Sequence, residues 1–328
     1  MAPQLDVIGV GNAIVDVLTQ ADEEFLSGLG LVKGSMKLIE ADEADALYGS
    51  MGPGLEMSGG SAANTLAGLA SLGGRGAYIG KVHDDTLGGV FTHDIRSLGV
   101  EFQTPPTSVG PSTARCLILV TPDAQRTMNT YLGACALLGP DDIDEELTRA
   151  AQVTYLEGYL FDRPEAKEAF RRAAAIAHAA GRKVSLTLSD SFCVDRHRQD
   201  FLDLVDNHVD ILFANEQEIT SLFETPDWDQ AVAAVRERCE IAALTRSEKG
   251  SLIVGDSQTV PVPAAHVERV VDTTGAGDLY SSGFLYGVTH GADLAECGRL
   301  GSICAAEVIS HYGARPETPL RSLAGVEA

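Results

Sequence analysis

The sequence is poor in basic residues. Its 328 residues include 24 lysines and arginines against 47 aspartates and glutamates, which gives a formal net charge of −23 at pH 7. Nucleic acids and anionic membrane surfaces attract basic proteins and repel an acidic surface of this kind. We therefore expect a protein that binds neither nucleic acid nor membrane, and whose partner is a small molecule.

Paired cysteines and long apolar runs are also missing. The six cysteines are scattered, and none forms a CxxC pair or a zinc-like cluster with histidine. This pattern predicts free thiols in a reducing compartment. The N-terminal stretch lacks the basic segment of a signal peptide, and no apolar run reaches the roughly 18 residues of a membrane span. We therefore expect a cytoplasmic protein.

Two common nucleotide-binding patterns are absent. Gly9 and Gly11 begin a dinucleotide fingerprint, but Ile14 stands at the third glycine position. The Gly80-Lys81 pair lacks the upstream glycine and the following Ser or Thr of a Walker A loop. Any nucleotide must therefore be bound in another way, and a dinucleotide-dependent oxidoreductase is disfavoured.

What the chain does have is a regular alternation of strand and helix patterns. Hydrophobic residues make up 45% of it, which is enough for a large core. A buried strand is predicted at 5–10, helices are predicted at 61–72 and 198–207, and further strands and helices alternate as far as residue 245. This alternation predicts an α/β domain whose mostly parallel sheet is covered by helices on both faces.

Two segments interrupt the alternation. The first has strand patterns on either side of a short helix, and the second reads as a β-hairpin. A hairpin does not fit easily inside a parallel sheet, so we expect a small projecting sheet that acts as a lid. The predicted domains are a discontinuous lid, 14–40 and 113–132, and a large nucleotide-binding domain, 1–13, 41–112 and 133–328.

The stretch 272–278 reads Asp-Thr-Thr-Gly-Ala-Gly-Asp and precedes a helical apolar pattern. Glycines before a helix allow unpaired backbone N–H groups to converge where the helix dipole is positive. Gly275, Ala276 and Gly277 are therefore predicted to form an anion site for phosphate. Asp278 would hinder simple anion binding but suits a general base. The structural alternative is a tight turn capped near Asp272.

These residues carry a family resemblance. The stretch 272–287 resembles the C-terminal signature of the ribokinase-like, or PfkB, carbohydrate kinases, and 59–67 resembles their N-terminal signature. The similarity extends from Val7 to about Pro316. It implies a ribokinase-like three-layer αβα sandwich with a β-sheet lid, and transfer of the γ-phosphoryl group of ATP in the presence of Mg²⁺. A non-catalytic relative would be expected to lose Asp278 or the glycine loop.

The resemblance implies an acceptor site formed by Asn12, Asp16, Gly59, Gly60 and Asn64. Amide and carboxylate groups can hydrogen-bond vicinal hydroxyls, and glycine lets a sugar approach the backbone. The structural alternatives are that Asn12 caps a strand end and that Asn64 faces solvent.

The Asn12–Asp16 spacing is similar to that of adenosine kinases within this family, and Asp16 disfavours a phosphorylated sugar. Five apolar lid residues are candidates to enclose a base, although such residues often only form core: Ile14, Leu38, Cys116, Ile118 and Leu132. The expected acceptor is the 5'-hydroxyl of a nucleoside, with adenosine first. Inosine, guanosine and a free sugar remain alternatives.

By the same resemblance, Asn215, Thr245, Ser247 and Gly250 would lie near ATP. Glu218 of the Asn-x-x-Glu motif would organise Mg²⁺ through water, as expected for an ion that keeps several of its waters. The alternative is that Asn215 only caps a helix.

Arg126 on the lid hairpin would neutralise charge on the transferring group, unless it is an ordinary solvated strand residue. Asp272 would contribute to a K⁺ site of the kind found in many relatives. The sequence leaves open whether the protein is a monomer or a homodimer paired through the lid.

Overall fold

The structure, a computed structural model, describes residues 4–123, 125–255 and 258–326. The strands are β1 (Leu5–Val10), β2 (Ile14–Gln20), β3 (Met36–Leu38), β4 (Leu55–Gly59), β5 (Gly76–Ile79), β6 (Glu101–Phe102), β7 (Ala114–Val120), β8 (Arg126–Tyr131), β9 (Ala151–Glu157), β10 (Lys183–Thr187), β11 (Ile211–Asn215), β12 (Ile241–Thr245), β13 (Ser251–Gly255) and β14 (Thr259–Val262). The helices are α1 (Glu23–Gly28), α2 (Ala41–Ser50), α3 (Ser61–Leu72), α4 (Thr86–Ser97), α5 (Glu145–Ala150), α6 (Pro164–Ala179), α7 (Ser191–Asn207), α8 (Glu216–Leu222), α9 (Trp228–Arg236), α10 (Ala276–Thr289), α11 (Leu294–Val308) and α12 (Leu320–Ala324).

The larger sheet has nine strands among the described residues, in the order β14-β13-β12-β11-β10-β9-β1-β5-β6. Neighbouring strands pair in parallel except at one edge, where the pairs β12–β13 and β13–β14 are antiparallel. β1 is buried along its whole length, as predicted, including the charged residue Asp6. The mostly parallel sheet confirms the fold class expected from the sequence.

Helices cover both faces of this sheet. Val7 on β1 packs in a cluster with Leu66 of α3 and Phe284 of α10. Its neighbour Ile8 points to the opposite face and packs in a second cluster with Phe170 of α6. Because successive strand residues face opposite ways, one strand contributes to both cores. The result is the three-layer arrangement.

The smaller sheet has the order β3-β8-β7-β2-β4. The predicted hairpin is present as the antiparallel pair β7–β8, and β2 lies parallel to β7. The sequence did not predict β4, because residues 55–59 contain Gly59 and lack a strong alternating pattern. β4 belongs to this sheet and leads directly through Gly60 into α3, so the small sheet is continuous with the expected acceptor segment.

α7 also differs from expectation. It begins at Ser191 rather than at the predicted Arg198, because the Asp190 side chain accepts a hydrogen bond from the Cys193 N–H and caps the helix earlier. The backbone is non-helical at His197, so the predicted segment is the second half of a kinked helix.

α10 and α11 pack so closely that one glycine tolerates no side chain. A Cβ on Gly283 of α10 would lie 2.5 Å from the carbonyl carbon of Leu300 and 2.7 Å from the Gly301 nitrogen. We expect Gly283→Ala to lower the free energy of unfolding by about 1–3 kcal/mol, as overpacking does. Denaturant unfolding measures this change.

Gly89 provides the matched control, because it lies on the exposed side of α4, and a Cβ added there would have nothing within 4 Å. Gly89→Ala should instead stabilise the protein by about 0.5–1 kcal/mol, through helix propensity. Equal effects of the two substitutions would contradict the packing argument.

Candidate active site

The candidate site lies at the carboxyl ends of the central strands. β1, β9 and β11 end at Val10, Glu157 and Asn215, and parallel pairing through β10 brings these ends to one edge of the sheet. Open α/β sheets bind ligands in the crevice at this edge. The N-terminus of α10 and the start of α3 lie here too, since the side chains of their first turns are in contact.

Asp278 is held by two side chains of α3. Ser61 Oγ donates to one carboxylate oxygen at 2.6 Å, and Asn64 Nδ2 donates to the other at 2.9 Å. Burial raises the pKa of Asp278 above its ordinary value, while these two hydrogen bonds and the charge of Arg315 oppose that rise. The two glycine-rich signatures thus meet at one buried carboxylate, whose ionised form is stabilised by hydrogen bonds rather than by solvent.

The two glycines at the start of α10 have different surroundings: a side chain would not fit at Gly275 but would fit at Gly277. Gly275 has φ +77°, and a Cβ there would lie 2.7 Å from the Cβ of Ala314. Gly277 faces open space, with nothing within 4 Å of a Cβ. The Ala276 N–H already donates to the Thr273 carbonyl at 3.2 Å. The open helix N-terminus therefore offers room for an anion beside Gly277.

The two glycines of the N-terminal signature pack against Asp16 and Asn12. A Cβ on Gly59 would overlap the Asp16 carboxyl group, and a Cβ on Gly60 would overlap the Asn12 carbonyl oxygen. Gly60 also has φ +94°. Burial raises the pKa of Asp16 to about 6, against the lowering effect of Arg315 and Arg126.

Asn12 does not cap a strand end; it binds Glu157, a residue that the sequence did not single out. Asn12 Nδ2 donates to Glu157 Oε1 at 2.9 Å, and the Ala62 N–H donates to Oε2 at 2.8 Å. Glu157 is only 1% exposed, and burial raises its pKa to about 7. Gly11 has no side chain because a Cβ there would overlap Oε2. The sequence did contain a signal for Glu157: a glutamate at the end of a largely apolar strand is expected to be buried, and glutamates are rarely buried unless they are paired.

Arg126 is a buried residue rather than a solvated one. Its Nη2 lies 2.9 Å from Oδ2 of Asp272, and its guanidinium lies 5.8 Å from the centre of the Tyr312 ring. Neither Nε nor Nη2 makes a well-directed hydrogen bond, although both atoms are buried. The lid thus places unsatisfied cationic donors against the loop that precedes α10.

Asp272 ties this loop together. Its Oδ1 accepts hydrogen bonds from the Thr274 N–H at 3.0 Å and the Thr274 hydroxyl at 2.8 Å. Its Oδ2 accepts one from the Gly313 N–H at 3.1 Å, besides the ion pair with Arg126. Protein donors therefore contact both oxygens, and the K⁺ role of Asp272 stays a prediction.

Asn215 and Glu218 form a reciprocal capping box at the start of α8. The Asn215 side chain accepts from the Glu218 N–H at 2.9 Å, and Glu218 Oε2 accepts from the Asn215 N–H at 2.9 Å. Burial raises the pKa of Glu218 to about 7, and the carboxylates of Asp190 and Asp278 add to the rise. The helix cap accounts for the geometry of Asn215 and Glu218. A bound cation would reduce the repulsion between Glu218 and the neighbouring carboxylates.

The remaining expected nucleotide residues lie on the turn between β12 and β13. Thr245 pairs with Asn215 in the sheet, which links this turn to the rest of the edge. Ser247 is exposed with φ +50°, and Gly250 has φ +82° with its backbone against Val262. The sequence did not single out Arg246, which pairs with Glu216 at 2.6 Å. The positive φ and close packing of the turn therefore account for a glycine at position 250, independently of any nucleotide contact.

The lid presents an apolar surface on the same face as Asp16. Strand register places Cys116 beside Asp16, Thr130 beside Cys116 and Leu38 beside Thr130, while Ile14 and Ile118 lie one step along. The opposite face of the lid, with Val15 and Val17, is buried in the main core. Several residues of the Asp16 face stay open: Leu38, Met36 and Leu55 are 47%, 51% and 59% exposed.

A model of the pfkB family of carbohydrate kinases matches residues 50–321. The chain belongs to this family. It is therefore a phosphotransferase that acts on a hydroxyl group, and within the family a sugar or nucleoside kinase.

Two solved structures are similar over almost the whole chain. The adenosine kinase from Sinorhizobium meliloti is 54% identical, with a TM-score of 0.91 over 98% of this chain and 99% of that one. The probable sugar kinase from Rhizobium etli is 52% identical, with a TM-score of 0.91 and 98% of both chains covered. The adenosine kinase of Saccharomyces cerevisiae is 26% identical over 94% of this chain and 95% of its own.

Within the described residues, no helix is both long enough and apolar enough to cross a bilayer. Their histidines, cysteines and acidic residues nowhere gather in a group of three or more that would bind a metal unaided.

Ser61 supplies one of the two hydrogen bonds to Asp278, so Ser61→Ala should raise the pKa of that carboxyl group. Ser61→Ala should lower the free energy of unfolding by about 2 kcal/mol, the contribution of a hydrogen bond to a charged group. The loss should reach this full value at a pH well above the pKa of Asp278. It should shrink as the pH falls and Asp278 becomes protonated.

Thermal or denaturant unfolding from pH 4.5 to 8 tests this, with Ser27→Ala as the control. Ser27 Oγ makes only an exposed local bond to the Glu24 carbonyl. A Ser61→Ala effect that does not depend on pH would contradict the proposed charge on Asp278.

Proposed function

We propose that the protein is an ATP-dependent nucleoside kinase that phosphorylates the 5'-hydroxyl of adenosine to give AMP. The observation that carries this proposal is the apolar, partly open lid face that continues directly from Asp16. A free sugar has no apolar part that needs such a surface, whereas a purine base buries well against it. The similarity to the adenosine kinase from Sinorhizobium meliloti supports the same choice.

In the proposed reaction, Asp278 accepts the proton of the attacking hydroxyl as the γ-phosphoryl group moves from ATP to that oxygen. Ser61 and Asn64 orient the carboxylate, and burial keeps its basicity above that of an exposed aspartate. The N–H groups of Gly275 and Gly277 and the buried guanidinium donors of Arg126 would face the negative charge that develops on the transferring group. Closure of the lid excludes water, which would otherwise hydrolyse ATP.

The acceptor sugar would bind between Asn12, Asp16, Asn64 and the Gly59–Gly60 turn. Asn64 Oδ1 is buried without a partner, which leaves it available to accept a hydrogen bond from a hydroxyl group. Asp16 can accept two more. Both glycines bring this turn close to Asp16 and Asn12, so that its backbone would border the bound sugar.

The described residues fit Mg²⁺ as an ion that is held mainly by phosphate oxygens and water. Glu218 and Asp190 are the nearby oxygen donors, and the raised pKa of Glu218 reflects a negative environment that a dication would relieve. When bound, Mg²⁺ would neutralise charge on the phosphate chain of ATP. Buried free thiols at Cys116, Cys135, Cys239, Cys297 and Cys304 fit a reducing compartment, and we propose that the protein acts in the cytoplasm in purine salvage.

A sugar kinase is the second candidate, favoured by the similarity to the probable sugar kinase from Rhizobium etli and by the polar group of Asn12, Asp16 and Glu157. A phosphorylation panel decides between the two, with ATP, Mg²⁺ and adenosine, inosine, guanosine, ribose or fructose 6-phosphate as acceptor. Adenosine should give the highest kcat/KM, and a preference for a free sugar would overturn the nucleoside proposal. Repeating the panel with and without K⁺ tests the cation role of Asp272.

Asp278→Asn should retain the fold and nucleotide binding but lose turnover by about 10²–10⁴-fold, the range of general-base catalysis. Asn64 Oδ1 has no partner, so a flipped Asn64 amide can accept from the new side chain and preserve the packing. Steady-state kinetics with the preferred acceptor, together with calorimetric titration of ATP, measure both effects.

Asp293→Asn is the matched control, because Asp293 is an exposed N-cap of α11 and Asn caps equally well. Its turnover should equal that of the wild type. Near-normal turnover in Asp278→Asn would exclude Asp278 as the base.

A further inference from the structure

Arg315 is a charged residue at the site that neither signature contains. It follows α11 and binds back to the start of α3, more than 250 residues earlier in the chain. Nη1 donates to the Ala63 carbonyl at 2.7 Å, and Nη2 donates to the Ser58 carbonyl at 2.6 Å and to the Ser58 hydroxyl at 3.0 Å. Nε adds a longer bond to the Ser58 carbonyl at 3.2 Å. One guanidinium therefore spans the Gly59–Gly60 turn.

This turn lacks the usual means of fixing a helix start. Gly60 stands at the N-cap of α3 and provides no side-chain hydrogen bond. Glycine can adopt the backbone conformation of Gly60, with φ +94°, but glycine does not by itself hold the chain in that conformation. Asp94 of α4 holds the Ser58 side from behind, accepting from its N–H at 2.8 Å and its hydroxyl at 2.5 Å. Arg315 supplies the bond on the Ala63 side and so ties the end of β4 to the first turn of α3, which the bond from the Ala62 N–H to Glu157 holds as well.

The position of α3 matters because that helix carries the partners of Asp278. Ser61 and Asn64 lie within the first turn, immediately around the carbonyl of Ala63 that Arg315 binds. A shift of the turn would move both hydrogen bonds to Asp278 together. The same shift would move the Gly59 backbone away from Asp16, which it touches.

Arg315 also contributes charge. Its acceptors are neutral carbonyl and hydroxyl oxygens, so no direct ion pair within the described part of the chain neutralises the guanidinium. It faces three carboxylates across the site, Asp16, Asp94 and Asp278. The other titratable groups that face Asp278 are acids and phenols: Asp16, Glu157, Glu218, Tyr155 and Tyr159. Arg315 is the cation that opposes their negative field at Asp278, while the other arginine of the site, Arg126, lowers the pKa of Asp16.

We infer that Arg315 is a positioning residue for phosphoryl transfer: its guanidinium fixes the Gly59–Gly60 turn in the acceptor site and adds positive charge that favours the ionised form of Asp278. The inference rests on the proposed function for its kinetic consequence only. The position and the charge act through Ser58, Ala63 and Asp278, and Arg315 needs no contact with the substrate.

Two substitutions separate the two effects. Arg315→Gln removes the charge and keeps one amide donor, whereas Arg315→Lys keeps the charge but cannot bridge two carbonyl groups as a planar fork does. A titration of ¹³C-aspartate-labelled protein by NMR, with the Asp278 signal assigned from Asp278→Asn, reads the charge effect directly. Arg315→Gln should raise the pKa of Asp278 by about one unit, and Arg315→Lys should change it little.

Kinetics read the positioning effect. In both variants the KM for the preferred acceptor should rise about tenfold, the equivalent of one lost hydrogen bond. The acidic limb of the kcat profile should move to higher pH in Arg315→Gln alone, because a base with a raised pKa requires a higher pH to ionise. Arg149→Gln is the control, since Arg149 forms an exposed i,i+4 pair with Glu145 on α5.

An unchanged Asp278 pKa together with an unchanged KM in folded Arg315→Gln would overturn the inference. Circular dichroism establishes folding. If Arg315→Gln does not fold, Arg315→Lys decides: a raised KM at an unchanged Asp278 pKa supports the inference, and a wild-type KM overturns it. If the panel finds no acceptor, the proposed function fails, while the NMR titration still tests Arg315 by itself.

Discussion

The contact between the Asp278 carboxylate and the first turn of α3 is the interaction on which the rest of the site depends. Ser61 and Asn64 reach Asp278 across more than 210 residues of sequence. This contact brings together the N-termini of two helices, each preceded by a glycine-rich turn. In the proposed reaction one turn would receive the acceptor sugar and the other would receive phosphate. The carboxylate lies where the two turns meet, as the proposed in-line transfer requires.

Such a site is costly to build. Asp16, Glu157, Glu218 and Asp278 all have raised pKa values, because burial penalises each charge and the carboxylates repel one another. Hydrogen bonds and two arginines compensate in part. Buried groups with perturbed pKa values concentrate at functional sites, where reactivity has been favoured over stability. The glycines add to this cost, since each gives up a side chain so that backbone can approach backbone or ligand.

The small sheet has a different relation to the core on each face. Val15 and Val17 anchor one face in the main hydrophobic cluster, while the alternate positions of the same strand carry Asp16 and its apolar neighbours. Arg126 of β8, on the Asp16 face of this sheet, forms an ion pair with Asp272. A sheet anchored in this way can cover a ligand without a separate core of its own. The ion pair also links the lid to the loop that would bind phosphate.

Local pattern determined a good deal of this protein. Apolar runs and their alternation with helical periods specify a mostly parallel sheet, and the glycine-rich stretches mark both helix starts, because turn and helix-start preferences are short-range. The sequence could not reveal that Glu157 holds Asn12, that Arg315 spans the Gly59–Gly60 turn, or that residues 55–59 complete the lid. Those facts depend on side chains more than fifty residues apart, or on strand pairing with a distant partner. Only the tertiary structure brings such groups within hydrogen-bonding distance, and burial there, rather than residue type, sets their charge.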